Sequence, residues 1–187
     1  MTDDTPQQPG NFKRGVPEGD NRERLVCVDC GFINYENPKI VVGSVVHEGA
    51  KILLCRRAIN PRKGYWTLPA GFMEQHETAM AGAMREAWEE ATAKIEIDAL
   101  LAVYSIPRLS QVQLIYRARL AMPEIAPGPE SEEVGLFTFE EIPWKELAFP
   151  SVHWALGHDR EAGARTNFAP FVNPPGELGD LKEPGGL

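Results

Sequence analysis

At 187 residues, 43% of them hydrophobic, the chain is long enough for one buried core and too short for two full-sized catalytic domains. A formal net charge of −8 and a pI near 5.1 argue against a grip on a long nucleic-acid backbone, whose affinity comes mainly from Lys and Arg displacing counterions; a small anion is not excluded, because a bound cation reverses the field locally. No apolar run approaches the roughly 20 residues that cross a bilayer, and the first residues are polar and acidic rather than basic then apolar. Three cysteines cannot all pair within one chain, so the expected setting is the reducing cytoplasm.

In chain order, residues 1–21 are rich in Pro, Gly, Asp and Gln without hydrophobic period, as a mobile tail is. Cys27 and Cys30 follow as C-x2-C, half the ligand set of a zinc ribbon. A closed structural zinc site needs four ligands, and residues 1–21 hold neither Cys nor His. The expectation is a degenerate ribbon that persists as a short β arm without zinc. Short apolar, β-branched runs over 40–46, 52–55, 95–97, 101–106, 112–118 and 136–139 predict strands, with Cys55 as a small buried hydrophobe. Residues 78–91, dominated by Ala, Met, Glu and Arg, predict a helix. A second helix is expected from about Ser151, an N-cap after Pro150, to Ala162. Pro and Gly return from Pro174 to Leu187, a segment read as mobile or draped on a partner. The expected division is a tail and β arm over 1–38, one catalytic domain over 39–164 and a Pro/Gly-rich tail over 165–187. These patterns alone support an α/β or α+β domain.

On a 3.6-residue period, Met80, Met84, Ala87, Trp88 and Ala91 fall on one side of the first helix, the side expected to pack on a sheet. Glu86, Glu89 and Glu90 fall together on the other, where like charges three and four residues apart repel. A solvated acidic face is one account. A site for Mg²⁺ or Mn²⁺, hard cations that take carboxylate and phosphate oxygens together, is the other.

The residues upstream separate the two. Gly71, five residues, Glu77, seven residues, then Arg85-Glu86-Ala87-Trp88-Glu89-Glu90 resembles the Nudix box, G-x5-E-x7-R-E-U-x-E-E-x-G-U with U apolar. Thr92 stands where that family has glycine, and Ala93 where a larger apolar residue is usual. The resemblance implies Glu86, Glu89 and Glu90 as metal ligands, Glu77 as an outer or additional ligand, the Ala70 carbonyl as a further one, and Arg85 as the group that orients the carboxylates. It also implies a Nudix α/β/α sandwich with a mixed, curved sheet. The flanks, Glu36-Asn37-Pro38-Lys39, the run KILLCRR over 51–57 and GYWTLPAGF over 64–72, are similar to a Nudix subgroup that carries a small zinc ribbon and acts on ADP-ribose, flavin adenine dinucleotide or nucleotide sugars. A homodimer is part of what that subgroup implies.

Further candidates follow. Arg56 and Arg57 end a strand near the site and suit phosphate as bidentate donors, although strand alternation turns one of them away. Trp66 suits stacking on a base and equally suits the core. Arg108 and Ser110, on a loop between strands, are candidates for phosphate or sugar, or are ordinary hairpin residues. Glu133, then Glu130, on the loop Pro127-Gly128-Pro129-Glu130-Ser131-Glu132-Glu133, are candidates for general base; an exposed acidic loop is the plain alternative. His47, His76, His153 and His158 show no zinc-site spacing. The Ser-Gln-Pro-Trp stretch of NADH-hydrolysing relatives does not occur. The implied reaction is water attack on the pyrophosphate bridge of a nucleoside diphosphate joined to a second group, ADP-ribose first, then nucleotide sugars or flavin adenine dinucleotide. The rival readings are a Nudix-like nucleotide sensor, expected to have lost box carboxylates, and a nucleoside triphosphate pyrophosphohydrolase.

Overall fold

A strand buried on both faces reads as an unbroken apolar run, and residues 40–46 answer to that pattern. In the computed structural model, which describes residues 11–165 and 167–181, they lie in β4 (Lys39–Glu48). Val45 joins one buried cluster while Val46 joins another, and Leu54 and Leu53 of the neighbouring strand β5 (Lys51–Arg57) divide in the same way. Strand alternation thus feeds two cores, one on each face of a single sheet.

That sheet belongs to the unit Pro38–Leu187. Its remaining strands are β6 (Trp66–Thr67), β7 (Ala70–Phe72), β8 (Ile95–Ile106), β9 (Gln111–Leu120) and β10 (Ser131–Thr138). The order is β10-β5-β4-β9-β8, with β6 paired to β5 and β7 to β4. β4 and β9 run parallel and the other neighbours antiparallel. Bulges between Ile97 and Ala99 and between Leu100 and Ala102 bend β8. Helix α1 (Ala79–Ala91) packs on the face that carries Val46 and Leu53, through Ala87 and Ala91. Helix α2 (Pro150–Ala162) packs on the other, through Val152, Ala155 and Leu156. The α/β sandwich with a mixed sheet is therefore present. Phe149, rather than Ser151, is the N-cap of α2.

In the unit Met1–Asn37, three antiparallel strands, order β1-β2-β3, form the expected arm: β1 (Phe12–Gly15), β2 (Arg24–Cys27) and β3 (Ile33–Asn34). Asp20 shapes the long connection, accepting from Asn21 N and pairing with Arg24 Nε at 2.9 Å. The expected tails over 1–10 and 182–187 lie outside the described residues.

Within the expected Pro/Gly-rich tail, Phe171 and Asn173 pair with the sheet of their own unit. Phe171 extends the outer edge of β8, its N–H donating to Leu101 O and its carbonyl accepting from Val103 N, both at 2.8 Å. The Asn173 side chain then acts as one more strand residue, accepting from Ser105 N and donating to Ser105 O at 2.8 Å each. An edge strand presents unpaired backbone groups that something must satisfy; at Leu101, Val103 and Ser105 the chain satisfies them itself.

Candidate active site

Thr78 caps α1 through its Oγ1, which accepts from Ala81 N at 3.1 Å. The face that α1 turns inward is not the one its large apolar residues predict. Gly82, Ala83, Glu86, Ala87, Glu90 and Ala91 are buried, whereas Met80, Met84 and Trp88 are close to half exposed. Residue size sets this orientation: a Cβ on Gly82 would stand 2.6 Å from Glu77 Oε1 and 2.9 Å from Val42 Cγ2. The stripe of small residues brings the helix tight against β4, about a quarter turn from the predicted stripe. That rotation carries Glu86 and Glu90 inward.

At the other end Thr92 is left-handed, φ 51° and ψ 23°, with its N–H on Ala87 O and Trp88 O. Thr92, standing where the Nudix box has glycine, thus adopts the conformation that glycine favours.

Arg85 organises the box. Its Nε and Nη2 hold both oxygens of Glu77 at 3.1 and 2.9 Å, Nη1 holds Glu86 and Glu89 at 2.8 Å each, and Nη2 also reaches Phe72 O at 3.0 Å. A guanidinium has five N–H groups in a fixed fork, and each has an acceptor here. Arg85 beside it, with the Glu74 amide, holds the Glu77 carboxyl below the usual range.

Glu86 and Glu90 experience the opposite environment. Burial raises Glu86, although Arg85 opposes the shift. Glu90 is pushed up to about 8, chiefly by burial; the Ala70 amide, 3.2 Å from its Oε2, opposes this, while the nearby charges of Glu86 and Glu130 add to it. Gly71 makes room for Glu86, whose Oε2 would lie 2.3 Å from a Cβ at that position.

The loop before β10 closes the constellation. Ala126 N donates to Ala91 O at 2.9 Å and Gly128 N to Glu90 O at 3.0 Å, satisfying carbonyls at the end of α1. A Cβ on Gly128 would be 1.7 Å from Glu89 O, so only glycine permits this approach. Glu130 is thereby delivered to the cleft, close enough to raise both Glu86 and Glu90.

The cleft has a volume of about 770 Å³, and Glu86, Glu89, Glu90, Glu130, Arg57 and Arg108 line it, together with Ala70, Gly71, Phe149 and Leu181. The other predicted residues divide between the cleft and its surroundings. Arg57 lines the cleft 5.2 Å from the Phe149 ring. Arg56, one position along β5, donates to Gly64 O at 2.9 Å and faces Glu133 at 3.6 Å. Alternation thus turns Arg56 away, and Glu133 with it, because Glu133 pairs with Arg56 across β5 and β10. Trp66 is a core residue rather than a stacking platform, 6% exposed and edge-on to Phe137 at 5.0 Å. Ser110 is left-handed and its carbonyl accepts from Lys39 N at 2.9 Å, which fixes the loop between β8 and β9. Sequence reasoning missed Phe149, Gly179 and Leu181 as cleft walls; nothing in their spacing pointed there.

Among the described residues no three acidic, His or Cys side chains close on one point. The donor set still fits a hard divalent cation, since carboxylate oxygens of Glu86, Glu89 and Glu90 share one cleft, and burial disfavours the charge of Glu86 and Glu90 more than Arg85 and the Ala70 amide restore it. The β arm does not fit zinc. Cys27 is half-buried and Cys30 exposed, and the sequence holds one further cysteine, Cys55, buried in the sheet unit.

Comparison with known proteins agrees with this geometry. The NUDIX domain model matches residues 37–155, and the Nudix N-terminal model, a zinc-ribbon family, matches residues 10–36. The chain is 32% identical over 119 residues to an ADP-ribose pyrophosphatase of Methanocaldococcus jannaschii, covering 62% of this chain and 69% of that one. It is 36% identical over 102 residues to a MutT-like protein of Streptomyces ambofaciens, covering 54% of this chain and 64% of that relative's length. Among solved structures it is similar to a NUDIX hydrolase from Nitrosomonas europaea, with a TM-score of 0.83 and 44% identity over 90% of this chain and 97% of that one. With the box, the fold and a family model that spans well over half of its residues, the chain belongs to the Nudix family and is a hydrolase.

Proposed function

We propose that this hydrolase cleaves the pyrophosphate bridge of a nucleoside diphosphate joined to a second group, ADP-ribose first and nucleotide sugars or flavin adenine dinucleotide next, using Mg²⁺ or Mn²⁺. The observation that carries the reading is the pair of buried carboxylates, Glu86 and Glu90, held beside Glu130 in one cleft. Similarity to the ADP-ribose pyrophosphatase of M. jannaschii supports ADP-ribose as the leading substrate. Glu86, Glu89 and Glu90, with the Ala70 carbonyl, hold the metal; Glu77 acts through Arg85, which aims the carboxylates. When bound, a divalent cation neutralises phosphate oxygens and eases deprotonation of the attacking water. Arg57 and Arg108 hold phosphate oxygens from the cleft wall. Glu130 takes the proton of the attacking water, and Glu133, which sits opposite Arg56, is set aside. The products are a nucleoside monophosphate and the phosphorylated second group.

Product analysis by chromatography tests this, with Mg²⁺ and then Mn²⁺, over ADP-ribose, UDP- and GDP-sugars, flavin adenine dinucleotide, NADH and nucleoside triphosphates. Monophosphate release that disappears in Glu90→Gln supports the reading. Inorganic pyrophosphate from triphosphates alone replaces it with the triphosphate pyrophosphohydrolase. No turnover by folded, metal-loaded protein leaves a nucleotide-binding module. A cytoplasmic homodimer is part of the proposal, and light scattering that gives a monomer at working concentration removes the dimer. No helix among the described residues is long and apolar enough to cross a membrane.

A further inference from the structure

The segment over 171–181 does more than cover the edge of β8. After the Asn173 clamp, Glu177 N closes a turn on Pro174 O at 3.0 Å, and the chain heads to the mouth of the cleft. There Gly179, at φ +82°, is pressed against Ile106, whose Cδ1 would lie 2.6 Å from a Cβ on residue 179. Leu181 forms part of the cleft wall, together with Ile106 and Leu109. Between these two contacts Asp180 places Oδ1 3.3 Å from Nε of Arg108. The three cleft arginines differ in what they already hold. Every N–H of Arg85 has an acceptor inside the box. Arg57 donates its Nε to Pro61 O at 2.8 Å. Arg108 holds Asp180, and both side chains of that pair are largely open to water, at 45% and 66% exposure.

We infer that Asp180 is an affinity-setting residue of this enzyme: its carboxylate occupies Arg108 at the cleft mouth and yields it to a phosphate oxygen of the incoming diphosphate. The inference rests on the proposed reading that the cleft receives a nucleoside diphosphate. An exposed ion pair between mobile side chains is weak, whereas a phosphate carries more charge and more acceptor oxygens than a carboxylate. The exchange therefore favours substrate, but every binding event is discounted by the pair it breaks. Gly179 and the Asn173 clamp fix the reach of Asp180, which makes the competition a built feature of the segment. The discount applies to charged ligands and leaves an uncharged nucleoside untouched.

Calorimetric titration of the full chain with ADP in the presence of Mg²⁺, and with adenosine as the uncharged comparison, tests this. Asp180→Asn is expected to tighten ADP by about two- to fivefold, the range open to an exposed pair worth up to about 1 kcal/mol, and to leave adenosine unchanged. The gain shrinks in high salt. Arg108→Gln weakens ADP, and in that background Asp180→Asn brings no gain. Melting temperatures of the variants confirm that each is folded. The inference is overturned if Asp180→Asn leaves ADP unchanged or weaker, if the gain persists without Arg108, if adenosine gains equally, or if the folded wild type does not bind ADP. Turnover is not read here, so a protein that binds ADP and hydrolyses nothing still decides the question, and failure of the proposed reaction stays separate.

Discussion

Thr92→Gly is expected to stabilise the protein at the end of α1 without touching the site. Thr92 sits at φ 51° and ψ 23°, where a Cβ crowds the backbone and a branched Cβ is especially unfavourable. That conformation costs an L-residue roughly 1–2 kcal/mol, and glycine relieves it. Glycine also loses more chain entropy on folding, about 0.5–1 kcal/mol, which offsets part of the relief. The cap's N–H bonds to Ala87 O and Trp88 O are backbone bonds and survive the change. The net is about 0.5–1 kcal/mol of stability, or a rise of roughly 1–4 °C in Tm for a domain of this size. Calorimetric melting of wild type, Thr92→Gly and Thr92→Ala checks it, with alanine expected to fall between because it removes the branch and keeps the Cβ. A glycine variant that melts at or below the wild type refutes the account, since it shows that Thr92 contributes something its backbone conformation does not reveal.

Arg85→Lys retains the charge but has no fixed fork to hold Glu77, Glu86 and Glu89 together; kcat is expected to fall about 10–100-fold with Tm little changed, and wild-type turnover would remove Arg85 from the site. In the chelated protein, Glu90 titrates near 8 when folded against an ordinary carboxylate value of 4.5 when unfolded. The folded state thus holds an extra proton between these values, and this contribution to stability is lost as pH rises through about 8. Melting in chelator at pH 6 and pH 9 should show the decline, smaller in Glu90→Gln; an identical decline in both assigns it to other groups. Gly128→Ala forces a Cβ to within 1.7 Å of Glu89 O, so a loss of roughly 1–3 kcal/mol is expected, together with reduced turnover as Glu130 moves; a wild-type melt refutes the tight approach. Glu130→Gln should slow turnover by about 10²-fold or more, while Glu133→Gln changes it little, and the reverse ranking in steady-state assays restores Glu133 as the base.

The architecture was legible because it depends on local pattern. Residues 40–46 and 52–55 announce buried strands by apolar continuity, and the box announces a helix whose glutamates recur at fixed steps. The orientation of that helix was not legible from hydrophobicity. Met80, Met84 and Trp88 carry more apolar surface than Ala83, Ala87 and Ala91, yet the alanines go inside. Apolar size measures what a residue gains if buried, whereas the room between helix and sheet decides which residue fits; that room is set by β4 and β7, which the helix pattern does not mention.

The same limit explains the choice between Glu130 and Glu133. Both stand on one short acidic loop, and nothing in composition separates them. What separates them is register: Glu133 already lies in β10 opposite Arg56, on the side of β5 that turns from the cleft, while Glu130 precedes the strand where Gly128 hooks the loop onto the end of α1. A site built from one helix and a loop far along the chain is thus specified twice, by a motif that sequence displays and by a contact of Gly128 with Glu89 and Glu90 that only the fold brings about. The proposed reaction calls for both, because on that reading the buried carboxylates of α1 would hold a cation and a separate group would accept the proton of the water.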